Sequence, residues 1–337
     1  MKKIIYIPVL LAAMLFTACE NEEISIELKQ AAHMGQLTVN IDPTGLFSSY
    51  TYEDTHHHNI KPLSTQYRTF NSAYGNKIEL RSLFYNKDND LLVDSVVTSL
   101  TNTNTYTQSL ELPLGDYTVV STLSLIVTNG ERTLPIWQLA NREKLSTANM
   151  QPRTLGNEWC LLAVSTDDVK LTSDGQVRLN TAPMPVGSIV YSRFENFQYV
   201  SEETKETVAD NGIRQLSIYT RNYPISYNLD PKAPNKVNFR NDGGENSWYA
   251  YNEIQPQKIS PDWTFFKGNT YSYFFTLASN AKIKFGYTLE GKSTFNGYGE
   301  QTVNIEPGKT YLAYWDYFMV GSPYFGIADN NHFHSYN

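Results

Sequence analysis

The chain has 337 residues, 41% hydrophobic and 18% charged, long enough to bury two ordinary cores or one large one, which excludes global disorder. A net charge of −7 leaves no electrostatic footprint for a nucleic-acid or other polyanionic partner. The outlier is aromatic content, 24 Tyr beside 16 Phe and 5 Trp; tyrosine suits half-buried pleated surfaces and favours β-structure.

Lys2 and Lys3 precede an apolar run from Ile4 to Phe16, then Thr17, Ala18 and Cys19. This is the charged, apolar and small-residue order of a secretory signal over residues 1–18, too short to span a bilayer. A cysteine directly after Thr-Ala resembles a bacterial lipoprotein lipobox, with Phe16 where Leu is commoner. Cys19 is then the acylated first residue, tied to the membrane by several chains, palmitate among them. The stretch Glu20-Asn21-Glu22-Glu23 opens an acidic linker over 19–34 and looks like the export signal of surface lipoproteins in Bacteroidota. Loss of Lys2 and Lys3 makes the mature chain more acidic than the full one. With Cys19 lipidated, Cys160 has no disulfide partner, and its setting in Trp159-Cys160-Leu161-Leu162 reads as a small buried hydrophobe.

Strand signals dominate the remainder. Gln36 to Asp42 alternates, with Leu37, Val39 and Ile41 on one face. Lys77 to Tyr85, Tyr117 to Thr128, Trp159 to Ser165 and Gln176 to Asn180 follow as strands of a first unit over 35–182. The spacing of Ile136, Leu139 and Ala140 predicts one short helix between Leu134 and Leu145. Pro183, Pro185 and Gly187 mark a linker or domain edge. A second unit over 186–322 repeats the pattern at Ser188 to Val200, Ile213 to Arg221, Thr270 to Leu277, Ala281 to Glu290 and Thr302 to Phe318, before a tail over 323–337. The segment Leu112-Pro113-Leu114-Gly115-Asp116-Tyr117 is echoed by Ile305-Glu306-Pro307-Gly308-Lys309-Thr310-Tyr311, each a Pro and Gly turn before an aromatic-led strand. The expected fold is all-β, two related antiparallel β-sandwiches of transthyretin-like or Greek-key type.

The lipobox, the acidic start, the early alternating strand, the Leu-Pro-x-Gly-Asp-Tyr turn, the Pro-rich middle and the second sandwich together resemble the fimbrillin superfamily, lipoprotein pilins and pilus anchor subunits of Bacteroidota. The resemblance covers most of 19–320 in layout. It implies a fimbrial, cell-adhesion role at the outer membrane, facing the exterior, and partnership with other pilus subunits by strand addition. It also implies cleavage by a trypsin-like protease in an N-terminal loop, for which Lys61 and Arg68, between the first two strands, are the basic residues available.

Reaction chemistry is not signalled, and no enzyme, cofactor or metal is expected. His56-His57-His58 and the pair His332 and His334 lack companion Cys or spaced carboxylates and read as polar loop and tail. Ser279-Asn280-Ala281-Lys282 fits Ser-x-x-Lys without the companion motifs, and Gly308-Lys309-Thr310 lacks the upstream glycine of a phosphate loop. The adjacent pairs Asp167-Asp168 and Glu202-Glu203 would turn to opposite faces of a strand. Asn86-Lys87-Asp88-Asn89-Asp90 reads as a hairpin turn, not a calcium loop. Asp94-Ser95-Val96 fits an Asp-Ser-aliphatic O-glycosylation pattern at Ser95. The alternative to a pilus role is a surface glycan-binding lipoprotein. The loop from Asn241 to Phe266 carries Trp248, Tyr249 and Tyr251 among turn residues, where rings could stack on sugars, while Trp263, Phe265 and Phe266 are expected in the next strand's core.

Overall fold

The computed structural model describes residues 33–48, 77–100, 104–129, 132–135, 137–152, 162–173, 176–195, 213–244, 247–254, 257–260, 263–265, 270–289, 295–316 and 324–327. The signal sequence, Cys19, the acidic linker up to residue 32, Lys61, Arg68, Cys160, Glu202, Glu203, Phe266 and both histidine clusters lie outside the described residues.

Strands of the N-terminal half are β1 (Met34–Ile41), β2 (Lys77–Asn86), β3 (Leu92–Leu100), β4 (Tyr106–Pro113), β5 (Gly115–Asn129), β6 (Arg132–Pro135), β7 (Trp137–Leu139), β8 (Asn149–Pro152), β9 (Leu162–Leu171), β10 (Val177–Thr181) and β11 (Met184–Pro185). Those of the C-terminal half are β12 (Gly187–Glu195), β13 (Ile213–Thr220), β14 (Pro224–Asn228), β15 (Val237–Phe239), β16 (Tyr249–Ile254), β17 (Gln257–Ser260), β18 (Trp263–Phe265), β19 (Thr270–Leu277), β20 (Ser279–Leu289), β21 (Phe295–Ile305), β22 (Thr310–Asp316) and β23 (Tyr324–Ile327). The architecture is all-β, and the α-helix among the described residues is α1, a five-residue turn over Thr44–Ser48.

Two sandwiches share one topology. In the first, a short sheet β10-β1-β4 faces a larger sheet containing β9-β5-β2-β3; in the second, β22-β12-β19 faces β21-β20-β13-β16. The first strand of each unit is central in its short sheet, parallel to one neighbour and antiparallel to the other. Each sandwich is therefore mixed where a purely antiparallel one is expected. Alternation places Leu37, Val39 and Ile41 of β1 at 0% exposure against the core face of β2 and β5. The second core centres on Phe194, Phe285 and Trp315, whose ring centroids lie 5.9–6.4 Å apart in tilted and edge-on pairs.

The sequence echo marks two chain crossings between facing sheets. The turn after β4 carries the chain from the short sheet into β5 of the large one; the turn after β21 carries it back from the large sheet into β22. In matched topology β4 corresponds to β19 and β21 to β9, so the echo joins corners that are not equivalent. Both use the same device. Tyr117 Oη donates to Pro113 O at 2.6 Å, while Tyr311 Oη donates to Asn304 O and accepts from Glu306 N–H, each at 2.9 Å. Such a tyrosine, buried yet bonded to backbone upstream, locks the angle at which a strand leaves one sheet for the other. Gly308, at φ 76°, supplies the left-handed backbone that the second corner requires. Tyr117→Phe should cost about 1–2 kcal/mol by leaving the Pro113 carbonyl short of a donor. Tyr85→Phe should cost nothing, because the Tyr85 hydroxyl finds no hydrogen-bond partner among the described residues. Urea unfolding of the two variants checks the contrast.

Several expected elements are corrected. The described residues between Leu134 and Leu145 are not α-helical: β6 pairs with β5, β7 pairs with β8, and a 3₁₀ turn forms at Leu145–Thr147, while Ile136 lies outside the described residues. Ladder hydrogen bonds with β5 and β8 outweigh a weak helical spacing. The strand expected over Thr302 to Phe318 is two strands in different sheets, split at the Pro307-Gly308 turn. The Pro-rich stretch is not a free linker, since Met184 and Pro185 pair with Val164 and Ala163 of β9 and β12 begins at Gly187. Strand β9 runs Leu162–Leu171, beyond the expected Ser165, and β3 was not expected.

A third layer completes the N-terminal unit. Strands β14 and β15 of the C-terminal half join β8 and β7 in a sheet ordered β15-β14-β8-β7. It covers the outer face of the sheet around β5, where Trp137 N–H donates to Ser124 Oγ at 3.1 Å. Consequently Thr118, Val120, Thr122 and Ser124 are buried, as Val119 and Leu123 are on the opposite face. The Glu79–Arg81 pair, 2.8 Å apart on that same face, is largely covered as well.

Candidate functional site

Strand β1 is the first feature with functional consequence. It hydrogen-bonds along both edges, from Met34↔Pro113 to Ile41↔Tyr106 against β4 and from Leu37↔Val177 to Ile41↔Thr181 against β10. Side chains reinforce both seams: Thr38 Oγ1 and Ser109 Oγ are 3.1 Å apart, and Asn40 Nδ2 donates to Asn180 Oδ1 at 2.8 Å. After β1, Asp42 N–H donates to Thr181 O at 2.8 Å, and Asp42 Oδ1 accepts from Thr44 N–H and Thr44 Oγ1–H at 2.9 and 2.7 Å, which lowers the Asp42 carboxyl below its ordinary pKa. β1 thus fills a slot that would otherwise expose two strand edges and a strip of core. Lys61 and Arg68 fall in the sequence between α1 and β2.

The aromatic loop forms a second cluster. Trp248 is half-buried, with Lys284 Nζ 3.9 Å and Arg221 Cζ 4.9 Å from its ring centroid. Tyr249 lies 6.1 Å from Tyr223 in an edge-on pair and has Arg240 Cζ 4.8 Å from its centroid. Its hydroxyl donates to Asp242 Oδ1 at 2.7 Å and accepts from Gly243 N–H at 2.8 Å. Asp242 also accepts a bidentate pair from Arg240, and these donors, Arg240 first and Tyr249 second, hold its carboxyl at about 2. Tyr251 is placed in β16 by its backbone. Rings read in the sequence as sugar platforms are therefore engaged with cations and a carboxylate of the same chain. The outward alternation of Lys282 and Lys284 against Ile283 and Phe285 was legible in the sequence, but Arg221 joins them only through strand pairing.

The remaining motifs resolve as local structure. Ser279 and Lys282 differ by three positions on β20, which turns them to opposite faces. Asp167 accepts from Thr181 Oγ1 at 2.6 Å, whereas Asp168, on the other face, bonds Thr118 Oγ1 at 2.9 Å and Lys87 Nζ at 2.7 Å, with Lys87 chiefly responsible for its lowered pKa. In the Asn86 to Asp90 turn, Asn86 Oδ1 and Asn89 Oδ1 accept from Asp88 and Leu91 N–H, and Asp90 takes φ 58°. Ser95 is half-buried on β3, an edge strand of its sheet. Among the described residues no helix is long and apolar enough to cross a membrane.

No family model matches the chain, and no curated protein matches it. Solved structures similar to it include a candidate polysaccharide-binding protein from Bacteroides thetaiotaomicron, at 9% identity and a TM-score of 0.47 over 88% of this chain and 99% of that one. The fimbrial anchor protein Mfa2 from Porphyromonas gingivalis is similar at 11% identity and a TM-score of 0.43, over 87% of this chain and 95% of that one. The tip fimbrial protein Mfa3 from the same organism, with a C-terminal truncation, is similar at 9% identity and a TM-score of 0.38, over 88% of this chain and 100% of that one.

Proposed function

We propose that the protein is a lipid-anchored, fimbrillin-like subunit of a surface adhesion assembly, tied to the outer membrane through Cys19 and joined to neighbouring subunits by strand exchange. It acts by binding, not catalysis. The observation that carries this reading is the slot of β1, the first described strand, held on both edges with three core side chains wholly buried. A cut in the segment between α1 and β2 separates β1 from the rest of the fold in sequence while leaving β2 onward intact. Release of the strand then frees backbone donors and acceptors on β4 and β10 together with pockets for alternate apolar side chains, the requirements of β-augmentation.

The test is limited trypsin treatment of the full-length chain. Cleavage after Lys61 or Arg68 should yield high-mass species that persist in detergent without heating, and a Lys61→Gln, Arg68→Gln double variant should remain monomeric. A cut chain that stays monomeric, or an uncut chain that assembles equally well, would overturn the reading.

A further inference from the structure

The outer face of the large C-terminal sheet gathers cations on a protein whose net charge is −7. On β20 the alternation that buries Ala281, Ile283 and Phe285 turns Asn280, Lys282 and Lys284 outward. Arg221, directly after β13, donates its backbone N–H to Lys282 O at 3.0 Å, so the strand pairing sets these two residues side by side. On the other flank Thr302 of β21 pairs with Lys282. Together with Asn222, whose Nδ2 donates to Asn280 O at 2.9 Å, they enclose an open pocket of about 230 Å³ lined by Arg221, Asn222, Asn280, Lys282 and Thr302. No carboxylate is among those lining residues.

Like charges so placed repel unless an anion or a π-face offsets them. Trp248 offers such a face, with Lys284 and Arg221 both against its ring. Burial chiefly, and Arg221 as a like charge, still push the Lys284 ammonium down despite Glu300 nearby. Lys282 is exposed at the pocket wall. The acidic whole-chain charge argues against a polyanion only at long range; within a Debye length of roughly 8 Å the local cations decide.

We propose that this pocket binds an acidic sugar residue, its carboxylate or sulfate held between Arg221 and Lys282 and its hydroxyls bonded by Asn222, Asn280 and Thr302. Cations alone would take any anion. The amide and hydroxyl lining adds both donors and acceptors, which a polyhydroxylated ring can satisfy and a bare ion cannot. The guanidinium fork matches a carboxylate or sulfate edge, and Trp248 is the positioning residue that holds Arg221. The site lies on the C-terminal sandwich and is independent of the β1 slot, so either reading can fail alone.

Calorimetric titration of the full-length chain tests it, with an oligogalacturonate, a chondroitin sulfate oligosaccharide, a neutral cello-oligosaccharide of equal length and inorganic sulfate as probes. At least one acidic oligosaccharide should bind, weaken as salt is raised, and lose about tenfold in affinity in Lys282→Gln. Arg221→Lys, which keeps the charge but not the fork, should also weaken it, whereas Lys170→Gln on the other sandwich should not. Oligogalacturonate carries carboxylates alone and the chondroitin sulfate carries both groups, so binding of the second but not the first would point to the sulfate. Absence of binding by both acidic probes, equal binding of the neutral one, sulfate alone binding as tightly, or an unchanged Lys282→Gln would each overturn the proposal.

Discussion

Val39→Asp is expected to destabilise the N-terminal sandwich by about 4–7 kcal/mol at neutral pH, the cost of raising a carboxyl pKa by about 3–5 units in a fully buried site. Val39 is 0% exposed at the centre of β1, with Leu37 and Ile41 beside it on the core face. The loss is comparable to the whole stability of an ordinary domain, roughly 5–15 kcal/mol. Because the folded pKa would lie above the unfolded value, the folded state binds the extra proton, and stability must fall as pH rises above about 4, the ordinary aspartate value. Urea unfolding at pH 4 and pH 7 should show the variant more stable at the lower pH relative to wild type, with Val39→Asn lacking that dependence. A second readout bears on strand exchange: loosened β1 should make the intact chain assemble without cleavage. An equally stable Val39→Asp protein would mean that β1 does not sit in the slot.

Phe285→Ala is expected to cost about 3–5 kcal/mol and to act on the second sandwich. The side chain is 0% exposed and touches both Phe194 and Trp315, at centroid distances of 6.1 and 5.9 Å, so truncation removes two edge-on aromatic contacts and leaves a cavity. Phe194, Phe285 and Trp315 come from β12, β20 and β22, strands of both facing sheets, and no single neighbour can close the void. Trp315 reports on the change, since its fluorescence should lose its early-unfolding protection in the variant. Phe285→Leu should recover more than half of the lost stability; failure to do so would show that volume is not what Phe285 supplies.

How much of this was legible beforehand follows from what alternation can and cannot encode. Leu37, Val39 and Ile41 announced their strand because one face of β1 is apolar and the other carries Gln36, Thr38 and Asn40. The stretch Ala281 to Glu290 was equally clear, and the outward Lys282 and Lys284 were visible as its polar face. Strand β3 escaped because Leu92–Leu100 mixes Val96 and Val97 in adjacent positions, so neither face is consistently polar. Around Ile136 the spacing fits a helix as well as strands, because three apolar residues over five positions match two periods at once. Tyr117 and Tyr311 were found through their turns, yet the turns suggested an equivalence that topology does not have: the same hydroxyl-to-backbone lock serves any crossing between facing sheets.

By itself the sequence determined that the chain is all-β and where β1, β2, β5, β9, β10, β12, β13, β19 and β20 run, pointed to two similar units, and showed that its start resembles a lipoprotein signal. Each of these is local, written in a period of two or in a short run of residues. Only the tertiary structure decided which strands pair, that β1 is parallel to β10 and β12 to β22, that β14 and β15 cross over to cover Thr118, Thr122 and Ser124, and that Arg221 stands beside Lys282 over Trp248. A polar face looks the same in sequence whether water or another sheet will cover it. Many alternating strands could satisfy the same edge, and the choice is made by register and packing among residues far apart in the chain.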